Sequence, residues 1–152
     1  KLAETGAALG LAYAGIALIT GSIWSNAAWG AYWNWDPRQT STLILWIAYA
    51  GYLSLRASVE NPEKRATLSA IYGILAFATV PLSYLSIIYW QTLHPQIVTA
   101  GGFKMTQRMV VTLLLNIIAS TLLYTYIFKL FYKIRTTEMK LAAYREVFGG
   151  ET

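Results

Sequence analysis

Long apolar segments alternate with short polar ones along the whole chain. The apolar segments cover residues 2–24, 40–55, 66–90 and 109–130. An α-helix rises about 1.5 Å per residue and the hydrocarbon core of a bilayer is about 30 Å thick, so each segment is near the length of a membrane span. The segment 40–55 is short, and its first helical turn is expected to begin earlier, in the polar residues before it. The pattern predicts an all-α, multi-pass transmembrane helix bundle with four spans in this chain.

The composition also favours a membrane protein. Of the 152 residues, 56% are hydrophobic and 12% are charged, about half the charged fraction of a typical soluble domain. There is no cysteine, which excludes disulfide scaffolds, thiolate metal sites and cysteine nucleophiles. The net charge of +5 does not indicate nucleic-acid binding, because the basic residues flank apolar segments and form no polar face. No repeat or linker divides the chain, so residues 1–152 are predicted to form a single integral membrane domain.

Lysine and arginine residues are distributed unevenly between the two sides of the predicted spans. Nine lie on the side of the turn at 56–65 and the tail at 131–152, and three lie on the side of a Trp-rich loop at 25–40 and a His-containing loop at 91–108. Positive charge is retained in the cytoplasm, so both chain ends are expected there and both loops are expected to face outward. The nine are Lys1, Arg56, Lys64, Arg65, Lys129, Lys133, Arg135, Lys140 and Arg145, and the three are Arg38, Lys104 and Arg108.

Tryptophan is concentrated in the first outward loop. Three of the six Trp residues of the chain, Trp29, Trp33 and Trp35, fall within seven positions. An aromatic belt at the membrane interface explains Trp24 and Tyr89, but it does not predict this density. Several flat faces beside Arg38, and beside Gly30, which permits close approach, suit a flat and mostly apolar ligand. From the residues alone, a ligand platform and a plain aromatic belt both remain open.

The end of this loop carries a helix-start signal. Asp36, followed by Pro37 and by Gln39 three residues on, predicts a capping box for the second span. Arg38 does not fit a helix start, because a cation there opposes the positive end of the helix dipole. An anion such as a carboxylate bound by Arg38 and the free N–H groups would resolve the conflict, and a salt bridge between Arg38 and Asp36 is the alternative.

The second outward loop contains the single histidine of the chain, His94. A lone histidine at a helix end is often a cap or a solvated side chain, but imidazole is also a ligand of haem iron. Opposite an aromatic platform that also offers an arginine for carboxylates, ligation of haem iron by His94 is favoured. The sequence shows no Ser-His-Asp arrangement with supporting context, no phosphate-binding Gly loop and no cluster of metal-binding carboxylates.

The segment Trp-Gly-Ala-Tyr-Trp-Asn-Trp-Asp-Pro-Arg-Gln-Thr at 29–40, with Thr-Leu-His at 92–94, resembles the WWD signature of the haem-handling membrane proteins of cytochrome c maturation. Within that group the chain is most similar to the CcmC (haem exporter protein C) family. The related CcmF and CcsA families share the Trp-rich core, although CcsA tends to have Lys-Glu where this chain has Arg38 and Gln39. CcmC proteins usually have leucine at the position of Gln39.

The resemblance implies a fold of six spans, of which the four helices of this chain are the last four. Lys1 is not an initiator methionine, in keeping with a chain that is part of a longer protein with upstream helices. The family also uses a second axial histidine from an earlier outward loop, and that position is absent from this sequence.

The resemblance further implies a protein that binds haem b at the outer face of a bacterial or archaeal cytoplasmic membrane. It would deliver the haem to the periplasmic chaperone CcmE, together with CcmD and with CcmA and CcmB, the subunits of an ABC transporter. His94 would be the axial ligand of the haem iron, the tryptophans would cover the macrocycle and Arg38 would bind a propionate. The implied cofactor-binding residues are Trp29, Gly30, Trp33, Trp35, Asp36, Arg38, Thr40 and His94.

Such a protein binds and transfers haem without chemistry on a bound substrate, so it is not expected to be an enzyme. The alternatives are a CcmF/CcsA-type haem lyase subunit and a respiratory subunit that binds quinol at the aromatic loop and a redox haem at His94. Respiratory subunits usually need paired histidines within helices, and this chain has one histidine. A structural membrane subunit whose Trp-rich loop docks a partner is a third possibility.

Overall fold

The computed structural model describes residues 2–95, 98, 99 and 101–148. Their secondary structure comprises α1 (Leu2–Trp29), α2 (Pro37–Ser58), α3 (Pro62–Tyr89), β1 (Val98–Thr99), β2 (Gly102–Phe103) and α4 (Gln107–Phe148). The two short strands pair in antiparallel register, with Val98 opposite Phe103. Parts of the predicted loop at 91–108 and tail at 131–152 lie outside the described residues, namely 96, 97, 100 and 149–152, as does Lys1.

The all-α, multi-pass architecture is confirmed. Three helices are long and apolar enough to cross a membrane, over Leu2–Trp29, Pro62–Tyr89 and Gln107–Arg145. At about 1.5 Å per residue the 22 residues of α2 extend about 33 Å, which is also sufficient length. However, α2 begins with five consecutive polar side chains at residues 38–42, and it is not among the helices that are apolar enough to cross a membrane. The expectation of four spans is therefore met by length in all four helices and by composition in three.

The connection between α1 and α2 is shorter than the predicted loop at 25–40. Helix α1 continues to Trp29, because Ser25 and the residues after it are compatible with a helix and the stop lies at Gly30. Gly30 has φ +77°, a left-handed conformation that glycine adopts without a steric penalty, and its N–H donates to the Asn26 carbonyl at 2.9 Å. Helix α2 begins at Pro37, three residues before Thr40, which confirms the expected early first turn.

Helices α2 and α3 form an antiparallel pair. Asn61 caps α3 by accepting hydrogen bonds from the N–H groups of Glu63 and Lys64, both at 3.0 Å, and Pro62 is the first helical residue. Near the site described below, hydroxyl groups join the two helices. Ser41 donates to Ser86 at 3.1 Å, and the Oγ atoms of Thr42 and Ser83 are 3.2 Å apart.

Small residues allow aromatic side chains to pack between these helices. Gly51 lies against the Tyr72 ring, and a Cβ atom at Gly73 would lie 3.4 Å from the Tyr52 ring. Tyr52 is buried as a result. The rest of α1 after Leu9 joins the same compact unit, which comprises the described residues between 10 and 105.

The second compact unit comprises, among the described residues, 2–9 and 106–148. Within it, Arg135 forms an ion pair with Glu4 at 2.5 Å. A Cβ atom at Gly6 would lie 3.7 Å from the Phe128 ring, so α1 and α4 are close at this point. Helix α4 has 42 residues and is therefore about 63 Å long, roughly twice the thickness of the hydrocarbon core. The described part of the tail, residues 131–148, continues this helix.

Candidate functional site

The carboxylate of Asp36 joins the start of α2 to the segment that follows α3. The Asp36 side chain is 1% exposed. Its Oδ1 accepts from the Arg38 N–H and lies 2.9 Å from Nδ1 of His94, and its Oδ2 accepts from the Leu93 N–H at 2.6 Å. The Thr92 hydroxyl lies 2.8 and 2.7 Å from the two oxygens. One buried side chain therefore caps α2 and anchors residues 92–94.

These contacts determine the ionisation of Asp36. Burial alone would raise the pKa of the carboxyl group, but the hydrogen bond from Thr92, those from the Leu93 and Arg38 N–H groups, and the charge of His94 together hold the pKa below its ordinary value of 3.8. The group is therefore a carboxylate at neutral pH and can only accept hydrogen bonds.

The predicted cap at Asp36 is confirmed, with Pro37 as the first helical residue. The predicted capping box is wrong, because Gln39 does not bind back to the Asp36 backbone. Its amide oxygen instead accepts from the Asn34 N–H at 3.1 Å, and its amide nitrogen donates to the Ser25 hydroxyl at 3.2 Å. The Asp36 carboxylate accepts from the N–H of Arg38, the second helical residue, rather than from that of Gln39.

Ser25 is the centre of a buried network beneath the loop. Its side chain is fully buried, and its hydroxyl donates to the Ala31 carbonyl at 2.7 Å. The same oxygen accepts from the side-chain amides of Gln39, at 3.2 Å, and Asn34, at 3.4 Å. Ser25 thereby ties the last turn of α1 to residues 31–34 and to the first turn of α2.

The His94 ring lies against two tryptophans at the end of α1. The centroid of Trp29 is 4.8 Å from that of His94 with an interplanar angle of 68°, and Trp24 lies 6.3 Å from His94 and 4.9 Å from Trp29. Edge-to-face packing of this kind is the favoured arrangement of aromatic rings. The His94 side chain is 21% exposed, and its Nε2 has no hydrogen-bond partner in the described part of the chain.

Trp33 and Trp35 form a separate aromatic pair. Their centroids are 5.8 Å apart at 89°, and Trp35 is 72% exposed. Trp35 has φ +54°, a conformation that costs a non-glycine residue about 1–2 kcal/mol. Among the described residues, neither ring is in aromatic contact with His94.

Arg38 lies at the start of α2 as expected, half-buried. No ion pair joins its guanidinium to Asp36, whose oxygens are occupied by other donors, so the alternative of a salt bridge between them is wrong. The Thr40 hydroxyl oxygen is buried and has no hydrogen-bond partner among the described residues. Arg38 and Thr40 both lie in the first turn of α2.

Three residues of this site are not predicted by the sequence. An interfacial belt accounts for Trp24 in the sequence, yet in the structure Trp24 packs on Trp29. Thr92 belongs to the Thr-Leu-His motif, but its hydrogen bond to Asp36 is not predicted by that motif. Ser25 is not predicted either, because no local pattern distinguishes a buried serine with several partners from any other helical serine.

Replacing Gly30 by alanine is expected to lower the free energy of unfolding by about 1–2 kcal/mol, because alanine is disfavoured at positive φ. Gly21→Ala is the matched control, since Gly21 lies within α1 with open space around it. That change is expected to raise the free energy of unfolding by about 0.5–1 kcal/mol. Chemical denaturation in detergent micelles measures both, and equal effects at the two positions would contradict the assignment of Gly30 as a conformational stop.

The chain is similar to several characterised proteins. The family model "Heme exporter protein C" matches residues 1–146. The heme exporter protein C of Bradyrhizobium diazoefficiens is 36% identical over 124 residues, which cover 80% of this chain and 47% of that protein. The heme exporter protein C of Rhodobacter capsulatus is 41% identical over 93 residues, which cover 60% of this chain and 38% of that protein.

A shorter similarity extends to a second group. The cytochrome c biogenesis protein CcsA of a Synechococcus species is 43% identical over 63 residues, which cover 41% of this chain and 21% of that protein. The chain thus spans less than half the length of these curated relatives.

Proposed function

The chain belongs to the heme exporter protein C family, and on that premise we propose that it holds haem b at the outward face of a bacterial or archaeal cytoplasmic membrane for cytochrome c maturation. The observation that carries the proposal is the placement of His94. Its Nδ1 is bound to a buried carboxylate at 2.9 Å and its ring packs on Trp29. A carboxylate on the far nitrogen is the usual companion of a metal-bound histidine.

The residues present fit a haem. A neutral imidazole nitrogen of His94 would hold the haem iron, and Nε2 of His94 has no competing partner in the described chain. Trp29, Trp33 and Trp35 would supply apolar ring faces for the macrocycle, and Gly30, which has no side chain, would permit close approach.

A propionate would be held at the start of α2. Arg38 offers a planar fork of N–H donors that suits a carboxylate, and the α2 start adds the positive end of the helix dipole. Thr40 contributes a hydroxyl that is unpaired among the described residues. Asp36 would not contact the haem itself. It would act by binding His94 and by capping α2.

The exposure of the site suits transfer rather than storage. Trp24, Tyr32 and Trp35 are 51%, 60% and 72% exposed, so an edge of a bound ring would be open to a second protein. We propose that this second protein, the recipient of the haem, is the haem chaperone CcmE. CcmA, CcmB and CcmD would complete the assembly. The role is binding and delivery, without catalysis on a bound substrate. The excess of lysine and arginine on the side of residues 56–65 supports an outward orientation of the site.

Haem titration of the purified chain, followed by its absorption spectrum, tests the proposal. The wild-type protein is expected to develop the Soret band of imidazole-ligated haem at a stoichiometry of about one, the number of its histidines. A spectrum identical to that of haem in empty detergent micelles would contradict the proposed function.

Arg38→Ala is expected to weaken haem binding by about 1–3 kcal/mol, the range for a lost hydrogen bond to a charged group. The measurement is the dissociation constant from the same titration. Arg38→Lys is expected to recover only part of the loss, since an ammonium keeps the charge but lacks the fork. Lys104→Ala removes an exposed cation from the second loop and is the control for a general charge effect. Equal affinity of wild type and Arg38→Ala would contradict the role of Arg38.

A further inference from the structure

The number of donors on Asp36 determines where the proton of His94 resides. Four groups converge on the carboxylate: the Arg38 N–H, the Leu93 N–H, the Thr92 hydroxyl and Nδ1 of His94. An ionised carboxylate has about four lone-pair positions and no proton to give. Each of its four partners must therefore be a donor, and Nδ1 of His94 must carry a hydrogen.

A neutral imidazole has a single N–H group. With that hydrogen on Nδ1, the lone pair of His94 lies on Nε2, which is the form that can coordinate a metal. The opposite tautomer would set a lone pair on Nδ1 against the carboxylate of Asp36 at 2.9 Å, an arrangement of two acceptors without a proton between them.

The backbone of the segment is held in the same place. The His94 N–H donates to the Thr92 hydroxyl oxygen at 3.1 Å, and that hydroxyl in turn donates to Asp36. The Leu93 N–H is bound to the same carboxylate, and the centroid of the His94 ring lies 4.8 Å from that of Trp29. Rotation that exchanges Nε2 for Nδ1 at Asp36 would have to displace this packing.

We propose that Asp36 is a positioning residue that keeps the proton of His94 on Nδ1 and thereby presents Nε2 as the ligand for haem iron. The inference rests on the proposed function for the identity of the metal. A role as helix cap alone is the competing explanation, because the Arg38 N–H bond to Asp36 would exist without His94.

Nitrogen-15 NMR of the haem-free protein tests the tautomer directly. The chain has one histidine, so labelling with ¹⁵N-histidine reports on His94 alone. When the imidazole is neutral, wild type is expected to show a protonated Nδ1 and an unprotonated Nε2. A predominant Nε2–H tautomer in wild type would overturn the proposal, whatever the variants do.

Three substitutions separate positioning from capping. Asp36→Ser retains a good N-cap residue but removes the two-oxygen acceptor, and it is expected to shift His94 toward the Nε2–H tautomer. Asp36→Asn retains an acceptor oxygen and is expected to rescue the Nδ1–H form. Asn61→Ala removes the comparable cap of α3, away from the site, and is expected to leave the tautomer unchanged. An unchanged tautomer in folded Asp36→Ser would overturn the proposal.

The haem-loaded protein gives a second readout. A carboxylate partner raises the basicity of a ligating imidazole, and losing such a partner typically weakens metal affinity about 10- to 100-fold. Asp36→Asn is expected to move the haem reduction potential in the positive direction, because the less basic ligand stabilises the ferric state less. A potential and affinity equal to those of wild type would show that the carboxylate charge has no part in ligation.

The two proposals fail in different ways. If wild type binds no haem while the tautomer shifts in Asp36→Ser as expected, the proposed function is wrong and the positioning of His94 by Asp36 stands. If wild type binds haem through His94 while the His94 tautomer is unchanged in Asp36→Ser, the proposed function stands and the positioning role of Asp36 is wrong.

Discussion

Replacing His94 by alanine is expected to abolish the Soret band of imidazole-ligated haem in the purified protein. His94 is the single histidine of the chain, and the sequence contains no cysteine to replace it as a ligand. The loss of affinity should exceed the about 10- to 100-fold loss that follows removal of an outer-shell partner, because the ligand itself is removed. The dissociation constant from haem titration gives the measurement.

Added imidazole provides the sharpest control for this variant. The side chain of His94 leaves a space beside Asp36 and Trp29 when it is truncated, so free imidazole is expected to restore part of the Soret band. Gln91→Ala, an exposed position in the same segment, is the control for a general effect of mutation there. Wild-type haem content in His94→Ala would remove His94 from the site.

Ser25→Ala is expected to lower the free energy of unfolding by about 2–4 kcal/mol. The change leaves the Ala31 carbonyl and the side-chain amides of Gln39 and Asn34 without their partner, and each buried unsatisfied group costs about 1–3 kcal/mol. The contact with Asn34 is long, at 3.4 Å, and adds little, so the expected total lies in the lower part of the range of about 2–6 kcal/mol for the other two groups. Chemical denaturation in detergent micelles measures the difference.

Ser22 supplies the matched comparison. Its hydroxyl also donates to a loop carbonyl, that of Tyr32 at 2.8 Å, but the bond is exposed to solvent and Ser22 has no further partner in the described structure. Water replaces such a bond, so Ser22→Ala is expected to cost about 1 kcal/mol or less. Similar losses of unfolding free energy in Ser22→Ala and Ser25→Ala would contradict a special contribution of the buried Ser25 network to stability.

The sequence predicted the helices and the start of α2 because those features are local. Apolar length indicated the spans, and Asp36 with Pro37 indicated the cap, since a cap is made within one turn of chain. The end of α1 was placed five residues early, at Trp24 instead of Trp29. Apolar periodicity fades at Ser25, but the backbone continues until Gly30, where the conformation requires glycine.

The partners of the site residues were less predictable, because they depend on contacts across the fold. Thr92 and Asp36 are 56 residues apart, and nothing in the local sequence of either indicates the other. The use of Gln39 was misjudged for a similar reason. A helix-start glutamine binds its own cap in many proteins, but here the Asn34 N–H and the Ser25 hydroxyl are closer competitors.

The two roles of Asp36 affect how a bound haem could be released. Because one carboxylate caps α2 and also binds residues 92–94, displacement of the second outward loop would break most of the hydrogen bonds to a buried negative charge. Each charge-assisted bond of this kind contributes about 1.5–3 kcal/mol, so thermal fluctuation alone would open the loop rarely. A recipient protein that takes the haem from its exposed edge, while residues 92–94 stay bound to Asp36, would face a smaller barrier than one that must first separate His94 from Asp36.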